Sequence, residues 1–261
     1  VKEDFNIDED KIIEKINTRT KAIMPVHWTG RVCNMDKIKF IARKYNLKII
    51  EDAAQGMGSY YKKVHAGSFS DVAAFSTHPL KNLNALGDGG FITTNSKKIY
   101  TKIKLYRNHG MKKRDYVESY GVNSRLDVIN AEILKMRLKK LKSINDKRRS
   151  NVNIYRENLD NRYIKIPEDK KNEINSYVML LSQAEKRDSL QKYLSLNKIQ
   201  SLVYYGTPLH LHKATRKLGY KKGSLPMAEK LASKVLALPH HQNLSKEQIL
   251  YVCNKINNFY N

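Results

Sequence analysis

The stretch Asp71–Gly90, DVAAFSTHPLKNLNALGDGG, decides how this chain is read. It sets one lysine, Lys81, between an apolar run, Val72–Phe75, and a glycine cluster at Gly87, Gly89 and Gly90. A small-apolar run followed by Ser76 and Thr77 predicts a buried strand that ends in a loop. His78 precedes Pro79, and a residue before proline is pushed out of the helical region, so Lys81 is expected on a constrained turn. A lysine beside a buried strand end is partly desolvated, and desolvation favours the neutral amine. A neutral amine attacks carbonyl carbon, which is the chemistry of a Schiff-base lysine. The plain alternative is one more surface lysine in a lysine-rich chain.

Upstream, Leu47–Gln55 (LKIIEDAAQ) reads as a short strand ending at a carboxylate. Before it, Met35, Ile38, Ile41, Ala42 and Tyr45 are spaced as one helix face, and Lys21–Trp28 (KAIMPVHW) reads as another strand. Strand, helix, strand predicts a parallel crossover unit. Ligands of such sheets bind beyond the carboxyl ends of the strands, and Asp52 stands at one. A buried carboxylate there needs a cationic partner, and a pyridinium nitrogen would serve. The other role open to Asp52 is a helix N-cap.

The segments EDAAQ (51–55), FSTHPLKNLNALGDGG (75–90), RNHG (107–110), GVNSRLD (121–127), TPLH (207–210) and LPMAE (225–229) follow one another in this order. The ordered set resembles the nucleotide-sugar aminotransferases of DegT/StrS type, a branch of the fold-type-I pyridoxal-phosphate (PLP) enzymes, over nearly the whole chain. The resemblance implies an α/β, aspartate-aminotransferase-like fold. Its large PLP-binding domain, with a mostly parallel sheet, would cover 1–140, and a smaller α+β domain 141–261. It implies Lys81 as the Schiff-base and proton-shuttling residue and Asp52 as the carboxylate on the pyridine nitrogen. Gln55 resembles the donor to the ring oxygen, and Ser76 a phosphate ligand. Asn123 resembles the asparagine donated across a homodimer interface to the neighbouring phosphate. His210, Tyr205 and His27 are the candidate substrate contacts. The chain opens where it resembles a segment well inside the family's N-terminal half, so part of the phosphate cup and a ring-stacking aromatic have no match here.

The form HPLKNLNALGDGG is most similar to enzymes that aminate carbon 3 of a dTDP-linked 3-keto-6-deoxysugar, with glutamate as donor. Amination at carbon 4 is the near alternative. A non-catalytic regulator or scaffold on the same fold is the alternative of a different class, and a basic nucleic-acid binder is the third.

Composition bounds these choices. The chain has 261 residues, 41% of them hydrophobic, enough for one large domain or two modest ones. No apolar run approaches membrane-spanning length, and the first residues, VKEDFNIDED, are acidic, unlike a secretory leader. Cys33 and Cys253 stand far apart and suggest no disulfide framework, so a reducing cytoplasm is expected. The histidines lack ligand spacing such as HExxH, and no metal site is expected. Forty-nine basic residues face 25 acidic ones, a net charge of +24. They are spread along the chain, and the densest run, Arg137–Arg149, is expected on a helix with Leu134, Leu138 and Leu141 as its apolar stripe. That pattern predicts a solvated helix face. No module of stacking aromatics accompanies the charge, which argues against a nucleic-acid site.

For the remaining elements the pattern predicts a hairpin near Tyr60–Gly67, a strand over 91–94 and a helix over 97–108. A long helix is expected over 126–147, strands over 176–181 and 199–205, and a last helix opened by a Ser245/Gln248 capping box.

Overall fold

The computed structural model describes all 261 residues. β1 (Ala22–Ile23) is shorter than the strand expected over 21–28, because Pro25 has no N–H to give to a ladder. Pairing resumes only as a single bridge between Val26 and Asp52. α1 (Met35–Lys44) opens on Asn34, whose side chain accepts from the Lys37 N–H at 3.3 Å, and it buries Met35, Ile38, Ile41 and Ala42. β2 (Lys48–Asp52) then pairs in parallel with β1, completing the crossover unit. β3 (Tyr60–Tyr61) and β4 (Val64–His65) form the expected hairpin. β5 (Val72–Ser76) lies parallel to β2, and β6 (Gly90–Thr93) returns antiparallel to β5. The sheet order is β1-β2-β5-β6. α2 (Lys97–Tyr106) is capped by Ser96, and β7 (Met111–Lys113) with β8 (Tyr116–Val117) makes a second hairpin.

The one helix expected over 126–147 is two. α3 (Val128–Leu138) and α4 (Leu141–Asn158) are parted by a turn at Lys139–Lys140, where the Lys140 N–H reaches the Arg137 carbonyl at 2.9 Å. Leu134 and Leu141 are buried, but Leu138 is exposed, so the apolar stripe is narrower than its spacing implies. Nor is the basic run wholly solvated. Arg148 is buried, and its Nη1 donates to the carbonyls of Tyr177 (2.9 Å) and Val178 (3.1 Å). Burial draws its pKa down to about 10.

β9 (Ile164–Lys165), β10 (Glu173–Ile174) and β11 (Leu180–Ala184) follow. The strand expected over 176–181 starts late because Tyr177 has a φ of 46°, which no strand admits. After α5 (Arg187–Leu196), the strand expected over 199–205 shrinks to one bridge, Leu202 to Ala237, because the chain turns away at Tyr204. α6 (Pro226–Lys234), β12 (Val235–Leu238) and α7 (Lys246–Tyr260) complete the chain. α7 opens on the capping box of Ser245 and Gln248 that its spacing predicts.

Contacts divide the chain into two compact units. The sheet unit holds residues 9–142 together with 172–175, so that β10 joins the β3–β4 hairpin as a third strand. The carboxy-terminal unit holds residues 1–8, 143–171 and 176–261. Its sheet has the order β12-β11-β9, and its core gathers Tyr155, Leu180, Leu190, Leu194, Leu236 and Ile249. Cys33 and Cys253 are buried and not joined in a disulfide. No helix is long and apolar enough to cross a membrane.

Candidate active site

The parallel register sets Asp52 of β2 beside Ala74 of β5, two residues short of Ser76. Strands running the same way end at the same edge, so Asp52 and Ser76 share the carboxyl edge at which ligands of parallel sheets bind. The loop carrying Lys81 leaves from that edge.

The loop is built to hold one shape. The Lys81 N–H donates to the His78 carbonyl at 2.8 Å, and Asn84 Nδ2 donates to the Pro79 carbonyl at 2.8 Å. Leu83 and Ala85 are buried with Leu134 and Leu141, while Arg137 Nη1 donates to the Asn84 carbonyl at 2.6 Å. The far end returns through the Thr77 N–H to the Gly89 carbonyl at 2.8 Å. A Cβ at Gly89 would lie 2.7 Å from Thr77 Oγ1 and 2.9 Å from Leu126 Cδ1, so a larger residue there would have to displace those two side chains.

Lys81 is half-buried, and burial holds its ammonium below the ordinary lysine value while the Asp52 carboxylate pulls the other way. The two groups are thus within electrostatic reach, and the amine is the more readily deprotonated for its burial. Asp52 does not cap a helix: its Oδ1 accepts from the Ala54 N–H at 3.1 Å within a turn. Gln55 Oε1 accepts from the Thr29 N–H at 2.6 Å, which leaves the amide nitrogen as its donor end. Ser76 Oγ accepts from the His78 N–H at 3.3 Å, so its hydroxyl proton points elsewhere.

His27 does not belong to a substrate surface. It is fully buried, its Nδ1 accepts from the Cys33 N–H at 3.3 Å, and its Nε2 meets Glu51 Oε2 at 2.7 Å. An Nδ1 that accepts leaves the proton on Nε2, so the ring donates to Glu51. Glu51, also fully buried, accepts further from the N–H groups of Gly67 (2.7 Å) and Phe69 (2.9 Å) and from Ser70 Oγ (2.7 Å). Burial alone would raise its pKa, but His27, Ser70 and Gly67 overcome it and hold the carboxyl below its ordinary value. The buried half of EDAAQ is therefore a structural anchor beneath Asp52. Its sequence signal is the alternation of β2, which puts Glu51 on the same face as buried Ile49.

Asn123 does not cap α3, whose N-cap is Asp127. It is exposed, bridges to Asn108, and lines a concavity of about 830 Å³ with Asp88–Ile92, Arg107 and Arg125. Lys81 and Asp52 are not among the residues lining it. Tyr205 and His210 belong to the carboxy-terminal unit. Tyr205 is exposed, whereas His210 is buried with its Nε2 on Glu229 Oε1 at 3.0 Å. The structure thus gathers Asp52, Gln55, Ser76 and Lys81 within the sheet unit and turns His27 and His210 inward.

The model of the DegT/DnrJ/EryC1/StrS aminotransferase family matches residues 1–257. A dTDP-3-amino-3,6-dideoxy-alpha-D-galactopyranose transaminase from Aneurinibacillus thermoaerophilus is 40% identical over 255 residues, 98% of this chain and 70% of that protein. A pleiotropic regulatory protein from Geobacillus stearothermophilus is 38% identical over 259 residues, again 98% of this chain and 70% of that protein. Among solved structures, S. venezuelae DesV, in complex with a ketimine intermediate, superimposes with a TM-score of 0.94 at 34% identity. That match covers 97% of this chain and 69% of that one.

Proposed function

The chain belongs to the DegT/DnrJ/EryC1/StrS aminotransferase family, and from that premise we propose that it aminates carbon 3 of a dTDP-linked 3-keto-6-deoxyhexose with glutamate as donor. Nucleotide-sugar transamination, dependent on pyridoxal 5′-phosphate, comes with the family. The choice of sugar is supported by one observation, the 40% identity to a transaminase named for a dTDP-linked 3-amino-3,6-dideoxy sugar.

The donor set at the sheet edge fits the cofactor. Pyridoxal phosphate, when bound, supplies an electron sink for the carbon that exchanges a proton. Lys81 would hold it covalently and move that proton, a task suited to an amine whose pKa is lowered by burial. Asp52 would pair with the ring nitrogen and keep it protonated. The Gln55 amide nitrogen would donate to the ring oxygen, and the Ser76 hydroxyl to the phosphate.

The sugar is tested by supplying PLP, glutamate and three acceptors: a dTDP-linked 3-keto sugar, its 4-keto isomer and a UDP-linked 3-keto sugar. Mass spectrometry follows the aminated product. Preference for the first by about tenfold or more in kcat/KM is expected. Faster amination of either other acceptor overturns the sugar assignment, and no amination of any of them favours the regulator.

Asn123 would complete the phosphate site of a second copy of the chain. An amide donates to phosphate without adding charge, so it can be buried at an interface at less desolvation cost than lysine. Its exposure and its distinct concavity accord with service outside its own Lys81 site. Asn123→Ala is expected to weaken PLP binding without unfolding the protein. Mixing Lys81→Ala with Asn123→Ala subunits should restore activity, because each heterodimer keeps one intact composite site. A monomer that binds PLP tightly, or a mixture that recovers nothing, overturns the shared site.

A further inference from the structure

The turn Trp28–Gly30 follows the bridge of Val26 to Asp52 and lies within the sheet unit. At its centre Thr29 has a φ of 61° and a ψ of 0°, in the left-handed region. A branched Cβ is crowded there by the carbonyl that follows it, so threonine seldom adopts this conformation. A strained residue persists only where its surroundings hold it, and here they do. On one side, the His27 N–H donates to the Asp52 carbonyl at 3.0 Å, and the His27 ring is fixed in the Glu51 network. On the other, Oγ of the fully buried Ser59 donates to the Gly30 carbonyl at 2.6 Å.

The backbone donors around the turn show what the strain accomplishes. The Trp28 N–H goes to the Val26 carbonyl (2.9 Å), that of Gly30 to His27 (3.2 Å) and that of Arg31 to Trp28 (3.0 Å). Of these four neighbours, Thr29 is the one whose N–H leaves the backbone, for Gln55 Oε1 at 2.6 Å. A primary amide has a donor end and an acceptor end of nearly equal size, and half a turn exchanges them. A backbone N–H accepts nothing, so it admits only the oxygen end of Gln55. The end turned from Thr29 is then the nitrogen. The reverse orientation would set two acceptors, the amide oxygen and the cofactor's ring oxygen, against each other.

We propose that Thr29, through its backbone N–H, is a positioning residue that fixes the Gln55 amide with its nitrogen as donor to the ring oxygen of pyridoxal phosphate. The inference rests on the assignment of Gln55 to that oxygen and adds what orients it. A donor on this oxygen stabilises its anionic form and weakens its hold on the proton it shares with the lysine nitrogen. The pH at which the visible absorbance of the PLP-loaded protein titrates is therefore held down. Loss of the donor raises it.

The test replaces the Thr29 amide by an ester, introduced as the corresponding α-hydroxy acid, which deletes the N–H and keeps the side chain. It is compared with Gln55→Ala, with the two changes together, and with Thr29→Gly. The ester and Gln55→Ala are each expected to raise the absorbance midpoint by about one pH unit, and the pair no further than either alone. Thr29→Gly keeps the N–H and meets no steric penalty at positive φ. It should leave the midpoint in place without lowering the melting temperature. A merely structural turn would change melting in the ester and leave the midpoint alone. In the cofactor-free protein, exchange of the Thr29 N–H should quicken about tenfold or more in Gln55→Ala while that of Arg31 does not, which decides the matter if the ester does not fold. An exchange rate that Gln55→Ala leaves unchanged overturns the proposal. So does a midpoint raised by Gln55→Ala and not by the ester, and this result spares the Gln55 assignment. A midpoint unmoved by Gln55→Ala removes that assignment and the proposal with it.

Discussion

Lys81→Ala is expected to fold normally and to lose transamination by a factor on the order of 10³ or more, since it removes both the covalent anchor and the proton carrier. The variant should keep its loop, because the backbone is held by Asn84, Arg137, Leu83 and Ala85 and not by the ammonium group. Borohydride reduction of the PLP-loaded protein, followed by peptide mapping, should find the pyridoxyl group on Lys81 and nowhere in the variant. The chain has many other lysines, so the experiment discriminates sharply. Half-burial next to Asp52 distinguishes Lys81 from the solvated majority. A label on any other lysine, or a variant with a tenth of normal turnover, would sink the assignment.

The second large effect is on stability. Glu51→Leu should cost about 3–5 kcal/mol, because it strands the buried His27 Nε2, two backbone N–H groups and the Ser70 hydroxyl without their common acceptor. Equilibrium denaturation in urea measures it, and a loss under about 1 kcal/mol would mean that the network rearranges at little cost.

The two units should also respond differently to acid. Glu51, in the sheet unit, has a folded pKa below its ordinary 4.5. Its contribution is therefore complete above that value and fades as pH falls through the folded one. His240, in the carboxy-terminal unit, is pressed down to about 3 by burial and by Arg148, with Tyr177 packed edge-on against it. An unfolded histidine takes up its proton near 6.5, so that unit starts to lose stability below pH 6.5, well before Glu51 is affected. The single tryptophan, Trp28, lies in the sheet unit. During acid titration, hydrogen exchange in the carboxy-terminal unit should therefore rise at a higher pH than any change in Trp28 emission. Simultaneous changes would contradict this order.

What the sequence disclosed was local. The strand Val72–Ser76, the turn at Lys81, the α1 face and the Ser245 cap each depend on residues within a few positions of one another. The ordered motifs carried the cofactor chemistry for the same reason. The partners of Glu51 were hidden because His27 lies 24 residues before it and Ser70 19 after, and only packing brings them together. The partner of His210 was hidden in the same way, because Glu229 lies 19 residues on. The late start of β11 follows from the left-handed backbone of Tyr177, a residue type that seldom adopts it. Arg148 read as one cation among a helix's many because the carbonyls of Tyr177 and Val178, about thirty residues away, were not in view.

Residues 172–175 join the sheet unit although the chain on either side of them belongs to the other, and Glu173 there forms a buried ion pair with Arg31, each side chain 4% exposed. Evolution by recombination is constrained accordingly. A crossover near residue 142 that exchanges carboxy-terminal halves between relatives brings in a foreign β10 and a foreign residue at 173. Unless that residue is again acidic, the recombinant inherits a buried guanidinium deprived of its carboxylate, at a cost of several kcal/mol. Viable chimeras should therefore carry positions 31 and 173 from the same parent, or take residues 172–175 along with the amino-terminal portion.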